Sequence, residues 1–234
     1  MWAIREPGTR YMAARRPSYC SGMKSTIPSA TVARLPRYLR CLSDMASTTH
    51  QCSSEQLASV SGCTAAQVRK DLSYVGSHGT RGVGYEIDQL MAQIRVVLGM
   101  TRIHPVVIIG AGNLGSALSN YKGFANWGFT IIGILDVDES KIGTKLNGLV
   151  VESIHRLEDL VKSEGVEIGI IATPPGAAQS AADRLIASGV KSILNLAPII
   201  LKVPEDVSVR RVDLSTELGI LAHHLSIARP TEDS

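Results

Sequence analysis

Gly110-Ala111-Gly112-Asn113-Leu114-Gly115 sets three glycines at the spacing G-x-G-x-x-G. Glycines at these positions let backbone turn tightly and approach a pyrophosphate, and the N–H groups that open a helix supply positive potential. The run follows an apolar stretch, Pro105-Val106-Val107-Ile108-Ile109, that reads as a buried parallel strand, and a helix is expected after it through Ala117 and Leu118. A second strand over 129–135 ends at Asp136, which is 21 residues beyond Gly115. A carboxylate there would accept hydrogen bonds from the adenosine ribose hydroxyls and repel a 2′-phosphate, favouring NADH and NAD+ over NADP(H). Packing of helix on strand also uses glycines, but strand, turn, helix and acid together form a specific fingerprint.

A second set of residues suits nucleic acid. Residues 1–85 hold 11 Lys/Arg against 4 Asp/Glu, whereas residues 86–234 hold 13 against 17. A basic module on an acidic body is expected, although solvated surface charge would give the same count. Ser53-Ser54-Glu55-Gln56 and Thr64-Ala65-Ala66-Gln67 both fit a capping box, and Ser61-Gly62-Cys63 makes a tight turn between them. This is a helix-turn-helix pattern. Its second helix puts Ala65, Val68, Leu72 and Val75 on one face, leaving Gln67, Lys70, Ser73 and Tyr74 outward and Arg69 at the boundary. The alternative is a solvated Arg69-Lys70-Asp71 face with an internal ion pair. The stretch 76–85 then carries four glycines in ten residues, as a wing hairpin would, with Arg81 among small residues suited to a minor groove.

These groups need positioning elements. Val32, Leu35, Leu39, Leu42 and Met45 recur at helical steps from Ile27 onward, with Ser29 as N-cap and Pro36 expected to bend or restart the helix. Ile87, Leu90, Met91, Ile94 and Leu98 read as an amphipathic linker helix closed by Gly99. Further strands are expected over 167–172, 192–196 and 209–214, and a helix over 176–188. The strand-end loops Thr173-Pro174-Pro175-Gly176 and Asn195-Leu196-Ala197-Pro198 should face the ligand crevice. A last helix, 215–227, has an apolar stripe of Leu218, Leu221, Ala222 and Leu225 that must pack on its own domain or on a partner.

Several classes are disfavoured. No run of roughly 18 apolar residues is present, so no membrane span is expected. Residues 1–25 lack the apolar centre of a signal peptide and read as a disordered extension, with Met23 a plausible later start. Cys20, Cys41, Cys52 and Cys63 form no Cys-x-x-Cys, so no metal is expected, and free thiols in a reducing cytoplasm are the default. His104, His155, His223 and His224 show no catalytic spacing, and no catalytic residue is assigned.

The order of motifs resembles the redox-sensing transcriptional repressor family, Rex. The matching segments include Ile27-Pro28 with Arg34-Leu35-Pro36, Ser53-Ser54-Glu55-Gln56-Leu57, Val68-Arg69-Lys70-Asp71-Leu72-Ser73-Tyr74 and Gly79-Thr80-Arg81-Gly82-Val83-Gly84-Tyr85. They continue with the glycine run, Ala177-Ala178-Gln179 and Ile193-Leu194-Asn195-Leu196-Ala197-Pro198, so the resemblance spans about residues 27–227. It implies a homodimer on palindromic double-stranded operator DNA, a C-terminal helix swapped between protomers, and release from DNA when NADH binds. It also implies DNA contacts at Gln67, Arg69, Lys70, Ser73 and Arg81. One departure is Leu196, where the family often carries Phe.

The expected fold is α/β, an N-terminal winged helix-turn-helix plus a C-terminal Rossmann-type doubly wound parallel sheet with a terminal swapped helix. The expected parts are an extension at 1–25, the winged helix at 26–86, the linker helix at 87–100, the NAD(H)-binding domain at 101–213 and the dimerisation helix at 214–228. The cofactor-site candidates are Gly110, Ala111, Gly112, Asn113, Leu114, Gly115, Asp136, Thr173, Pro174, Asn195, Ala197 and Pro198. The expected function is a cytoplasmic, non-enzymatic repressor sensing the NADH/NAD+ ratio. An NAD-dependent oxidoreductase is opposed by the roughly 20 residues left beyond the last strand, too few for a substrate domain. A CoA-binding protein is opposed by Asp136, and a DNA-binding protein indifferent to NADH would ignore the fingerprint.

Overall fold

The computed structural model describes residues 27–80 and 82–228. They divide into two compact units between Arg102 and Ile103. The expected extension at 1–25, Cys20 and the wing residue Arg81 lie outside the described residues.

The first unit opens with helix α1 (Ser29–Met45). Its N-cap is Pro28 rather than Ser29, because Pro28 already has extended backbone and its carbonyl accepts from Thr31 N at 2.9 Å. Pro36 neither ends nor restarts the helix. Its missing N–H forfeits one backbone bond, while burial of Leu35, Tyr38, Leu39 and Leu42 on the same face holds the turn. After β1 (Gln51–Cys52) come α2 (Ser54–Ser61) and α3 (Ala65–Val75). The box on α2 is complete: Gln56 N donates to Ser53 Oγ at 3.2 Å and Ser53 N to Gln56 Oε1 at 2.7 Å. On α3 only half forms. Gln67 N reaches Thr64 Oγ1 at 3.2 Å, but the Gln67 amide turns to Asp71 Oδ1 at 3.0 Å.

Strand β2 (Tyr85–Glu86) pairs antiparallel with β1, and Thr80 bridges Gly84 at the base of the wing. The helix expected as a linker, α4 (Ile87–Val97), instead belongs to this unit. Ile87, Leu90, Met91 and Ile94 are buried, and α4 packs on α1 and α3. Its apolar face is too wide to leave in water between two bodies.

Asp71 departs from the alternative of a solvated Arg69-Lys70-Asp71 face. It forms no ion pair within α3; it is fully buried and receives Arg34 Nε at 2.6 Å, Arg34 Nη2 at 2.8 Å, Tyr38 Oη at 2.8 Å and Thr31 Oγ1 at 2.9 Å, all from α1. Burial alone would raise its carboxyl, but the bonds from Arg34, Tyr38, Thr31 and Gln67 outweigh it and hold the pKa at about 2.

The second unit is built on β3 (His104–Ile109), α5 (Asn113–Ser119), α6 (Gly123–Asn126), β4 (Phe129–Asp136), β5 (Lys145–Leu146) and β6 (Leu149–Ser153). It continues with α7 (Leu157–Glu164), β7 (Ile168–Ile171), α8 (Pro175–Ala187), β8 (Ser192–Asn195), β9 (Ser208–Arg211) and α9 (Leu214–Ala228). The sheet order is β5-β6-β4-β3-β7-β8-β9, parallel except for β5. From β3 the chain goes to β4 on one side and later returns to β7 on the other. That reversal opens a crevice at the carboxyl ends of β3, β4 and β7. One sheet face packs on Ala178, Ala181, Ala182 and Leu185 of α8 and Leu157 of α7. The hairpin β5–β6 was not expected; Asn147 (φ 49°) and Gly148 (φ 82°) form its turn.

Asp71→Ala is expected to destabilise the first unit by roughly 3–5 kcal/mol, because Arg34, Tyr38, Thr31 and Gln67 lose their common acceptor. Urea unfolding followed by circular dichroism measures this. The carboxyl's folded pKa of about 2 lies below its ordinary 3.8. Its stabilisation is therefore complete above the ordinary value and disappears as pH falls through about 2, so Asp71→Asn should flatten that acid limb.

Candidate dinucleotide site and nucleic-acid interface

The crevice end of the second unit gathers Gly110, Asp136 and Thr173 from three neighbouring strands. The three glycines have different tasks. Gly110 has φ +108°, and a Cβ there would lie 2.7 Å from the Ala172 carbonyl oxygen. Gly115 is buried under β3, and its Cβ would collide with the Gly110 carbonyl oxygen. Both therefore serve the turn and the helix–strand contact. Gly112 has ordinary φ −80° and open space where a side chain would be, so nothing within the described fold demands glycine. A molecule lying against the loop would. Asn113 and Leu114 are exposed beside it, and Ala111 is half-buried.

Asp136 is buried, with both oxygens engaged. Oδ2 accepts from Ala111 N at 2.7 Å and from Lys141 Nζ at 3.2 Å, and Oδ1 accepts from Val137 N at 2.8 Å and Asp138 N at 3.0 Å. Burial pushes its carboxyl up, yet the Asp138 and Ala111 N–H groups and Lys141 prevail and hold it below the ordinary value. Asp136 thus remains an anion and pins the glycine loop through Ala111, a task the spacing did not reveal. Lys141 was also missed; it follows the acid in an irregular turn that carries no periodic signal.

Thr173 follows β7, and its Oγ1 is buried without a hydrogen-bond partner among the described residues. Its Cγ2 is 3.2 Å from the position a Gly110 Cβ would take. A polar atom orphaned in this way awaits a donor or acceptor from outside the fold. Open space at Gly112 and this hydroxyl fit a dinucleotide laid across the crevice. Asn195 does not face it in the same manner. It is buried, its Nδ2 donates to Ile199 O at 2.9 Å and its Oδ1 accepts from Ala197 N at 3.0 Å, so it shapes its own loop. Ala197 is buried too, whereas Pro174 and Pro198 are exposed. Leu196 is partly buried against the apolar cluster that includes Val106, Ile108 and Ile170.

In the first unit Lys70 and Ser73 stand exposed on α3, and Ser73 Oγ donates to Lys70 O at 2.7 Å. Gln67 is half-buried and turned inward to Asp71. Arg69 is exposed, but Nη1 is held by Glu55 Oε1 and Ser54 Oγ, each at 2.9 Å. Elsewhere His104 pairs with Glu167 at 2.7 Å, and Cys41, Cys52 and Cys63 are free thiols. No group of three or more His, Cys, Asp and Glu suited to a metal occurs among the described residues.

Residues 101–199 match the family described as "CoA binding domain", and residues 26–73 match "Putative DNA-binding protein N-terminus". The redox-sensing transcriptional repressor Rex of Streptomyces griseus is 53% identical over 199 residues, covering 85% of this chain and 79% of that protein. The Rex of Syntrophomonas wolfei is 47% identical, covering 86% and 96%. The chain belongs to the Rex family. Among solved structures, the Rex-family repressor RSP in complex with β-NAD+ and operator DNA has a TM-score of 0.80 at 37% identity, covering 88% of this chain and 95% of that one. RSP with β-NADH gives 0.79 at 36%, covering 88% and 97%. The Rex relatives thus span both units of this chain, which the CoA-binding description alone does not.

The glycines make a paired test. Gly112→Val should leave thermal unfolding near that of the parent and abolish NADH binding in a fluorescence titration. Gly115→Ala should instead lower the unfolding midpoint, since its methyl would enter the Gly110 carbonyl. Asp136→Ala should weaken both NADH and NADPH by loosening Ala111, and narrow the preference between them.

Proposed function

We propose that this protein is a transcriptional repressor that binds palindromic operator DNA as a homodimer and leaves it when NADH binds. The observation that carries the reading is the likeness of both units to RSP, which has been solved with β-NAD+ and operator DNA together and with β-NADH. The fingerprint loop, the open side of Gly112 and the orphaned Thr173 hydroxyl support a dinucleotide in the second unit. The capped α2–α3 pair, with Lys70 and Ser73 outward, supports DNA at the first. Gln67, Arg69 and Arg81 complete the proposed DNA contacts, with Gln67 acting chiefly by orienting Asp71.

Helix α9 supports the dimer. Leu214, Leu218, Ile220, Leu221 and Leu225 are between 49% and 67% exposed. So large an apolar set on one terminal helix marks a protein interface, and exchange with a second copy covers it. No helix among the described residues is long and apolar enough to cross a membrane. We place the protein in the cytoplasm, where chromosome and NADH pool meet.

NADH carries a neutral nicotinamide ring and NAD+ a cationic one. The loops at 173–176 and 195–198 offer Pro, Ala, Leu and Gly with the Thr173 hydroxyl, and no carboxylate. Burying an uncompensated charge is unfavourable, so these loops favour the reduced form. Closure on it would then shift the two winged helices relative to operator half-sites, whose spacing is fixed by the DNA helical repeat.

Linkage tests the reading. If NADH lowers operator affinity by some factor, saturating operator must lower NADH affinity by the same factor. Equal factors from fluorescence titrations of free and DNA-bound dimer are expected; NADH affinity indifferent to operator would defeat the proposal. Leu218→Asp with Leu221→Asp should yield monomers in sedimentation and lose operator binding.

A further inference from the structure

Arg69 is not a free probe on α3. Its Nη1 lies 2.9 Å from both Ser54 Oγ and Glu55 Oε1 in the first turn of α2, and Ser54 Oγ donates to Glu55 Oε1 at 3.2 Å. Ser54 is buried, so the anchor is firm. The guanidinium's other edge, Nε and Nη2, has no partner among the described residues. An arginine reads guanine through two N–H groups directed at O6 and N7. Pinning Nη1 leaves the Nε–Nη2 edge for that purpose.

Stability does not account for the pair. The side chains are 54% and 67% exposed, and ion pairs so open to water add little. Glu55 also brings a negative charge beside the surface read here as facing phosphates, which disfavours every duplex alike. Its compensating effect is to remove rotamer freedom from Arg69 before DNA arrives. The two effects have opposite signs: lower general affinity and sharper discrimination.

We propose that Glu55, with Ser54 behind it, is a positioning residue for operator specificity, holding Arg69 so that its free edge reads one base pair in each half-site. This rests on the reading of α3 as the DNA-facing helix. The probe is a palindromic duplex selected by the wild-type protein from a random library, together with its single-base-pair variants and a scrambled duplex of equal length. Fluorescence anisotropy is measured without NADH for the wild type, Arg69→Ala, Glu55→Ala, Glu55→Gln and the Glu55→Ala/Arg69→Ala double variant. Arg69→Ala should erase discrimination at one base pair per half-site. Glu55→Ala should reduce discrimination at that same pair about fivefold while binding the scrambled duplex about twofold more tightly. Glu55→Gln, which keeps an acceptor for Nη1, should fall between, and the double variant should lose no more than Arg69→Ala. Thermal midpoints and NADH affinity should not move, which separates positioning from folding. Wild-type discrimination in Glu55→Ala, or an equal loss on all duplexes, would overturn the proposal and leave the α3 reading intact. Wild-type discrimination in Arg69→Ala would overturn both.

Discussion

A carboxylate withdrawn from water persists only when donors answer its oxygens, and Asp71 meets that condition by drawing on two helices at once. Three donor side chains come from α1 and one from α3 itself. Packing of Val68, Leu72 and Val75 brings the helices together, but apolar contacts tolerate small rotations. Five directional bonds to a single side chain do not. The setting of α3 about its own axis is thereby fixed, and with it the outward presentation of Lys70 and Ser73. A buried ion pair adds modestly to stability compared with an apolar core of equal volume. Its contribution here is geometric: a recognition helix that turned by a few degrees would misplace every side chain it presents.

The second unit applies the same chemistry to a loop. Asp136 collects N–H groups from Ala111, Val137 and Asp138, joining the end of β4 to the turn after β3. Gly110 and Gly115 let that turn close against Ala172 and against itself, while Gly112 alone is left facing open space. One short motif thus separates into residues that build the cradle and one residue that keeps it open. In both units the buried acid organises backbone or neighbouring side chains, and the exposed residues around it are left to meet partners.

Most of the architecture was legible from period and punctuation. The alternation of apolar runs with capped helices placed β3, β4, α8 and α9 within a residue or two, and the glycine run located the crevice. The misses share a cause: each turned on which group answers a hydrogen bond, and apolar spacing does not record that. Asp71 sits in the stripe Val68, Asp71, Leu72, Val75, so its helical position was a signal of burial that its charge concealed. Ser29 lost its capping role to the backbone of Pro28. Helix α4 was read as a connector because its apolar face named no receiver; the receiver was α1, distant in sequence. The β5–β6 hairpin did carry a local mark, Asn147-Gly148, the dipeptide that tolerates positive φ in two-residue turns. Its strands are too short for alternation to show. Asn195 was placed near the ligand by topology alone, whereas its amide is taken up by the loop it belongs to.

The division of labour within the crevice bears on how a dinucleotide could act as a signal rather than as a fixture. A ligand shifts a two-state equilibrium only by the difference in its affinity for the two states. The residues around Gly112 and Asp136 would meet the pyrophosphate and adenosine ribose, parts that NADH and NAD+ share. However strongly they bind, they bind both forms, so they raise occupancy without informing the protein about redox state. Discrimination must come from the far end of the crevice, where the rings differ by one charge. The strand-end loops at 173–176 and 195–198 contain no carboxylate, as a reading end that disfavours the cationic ring requires. A tight common anchor beside a weakly polar, charge-free reading end is the arrangement that keeps the site filled while letting the ratio of the two forms, rather than their total, set the state of the DNA-binding units.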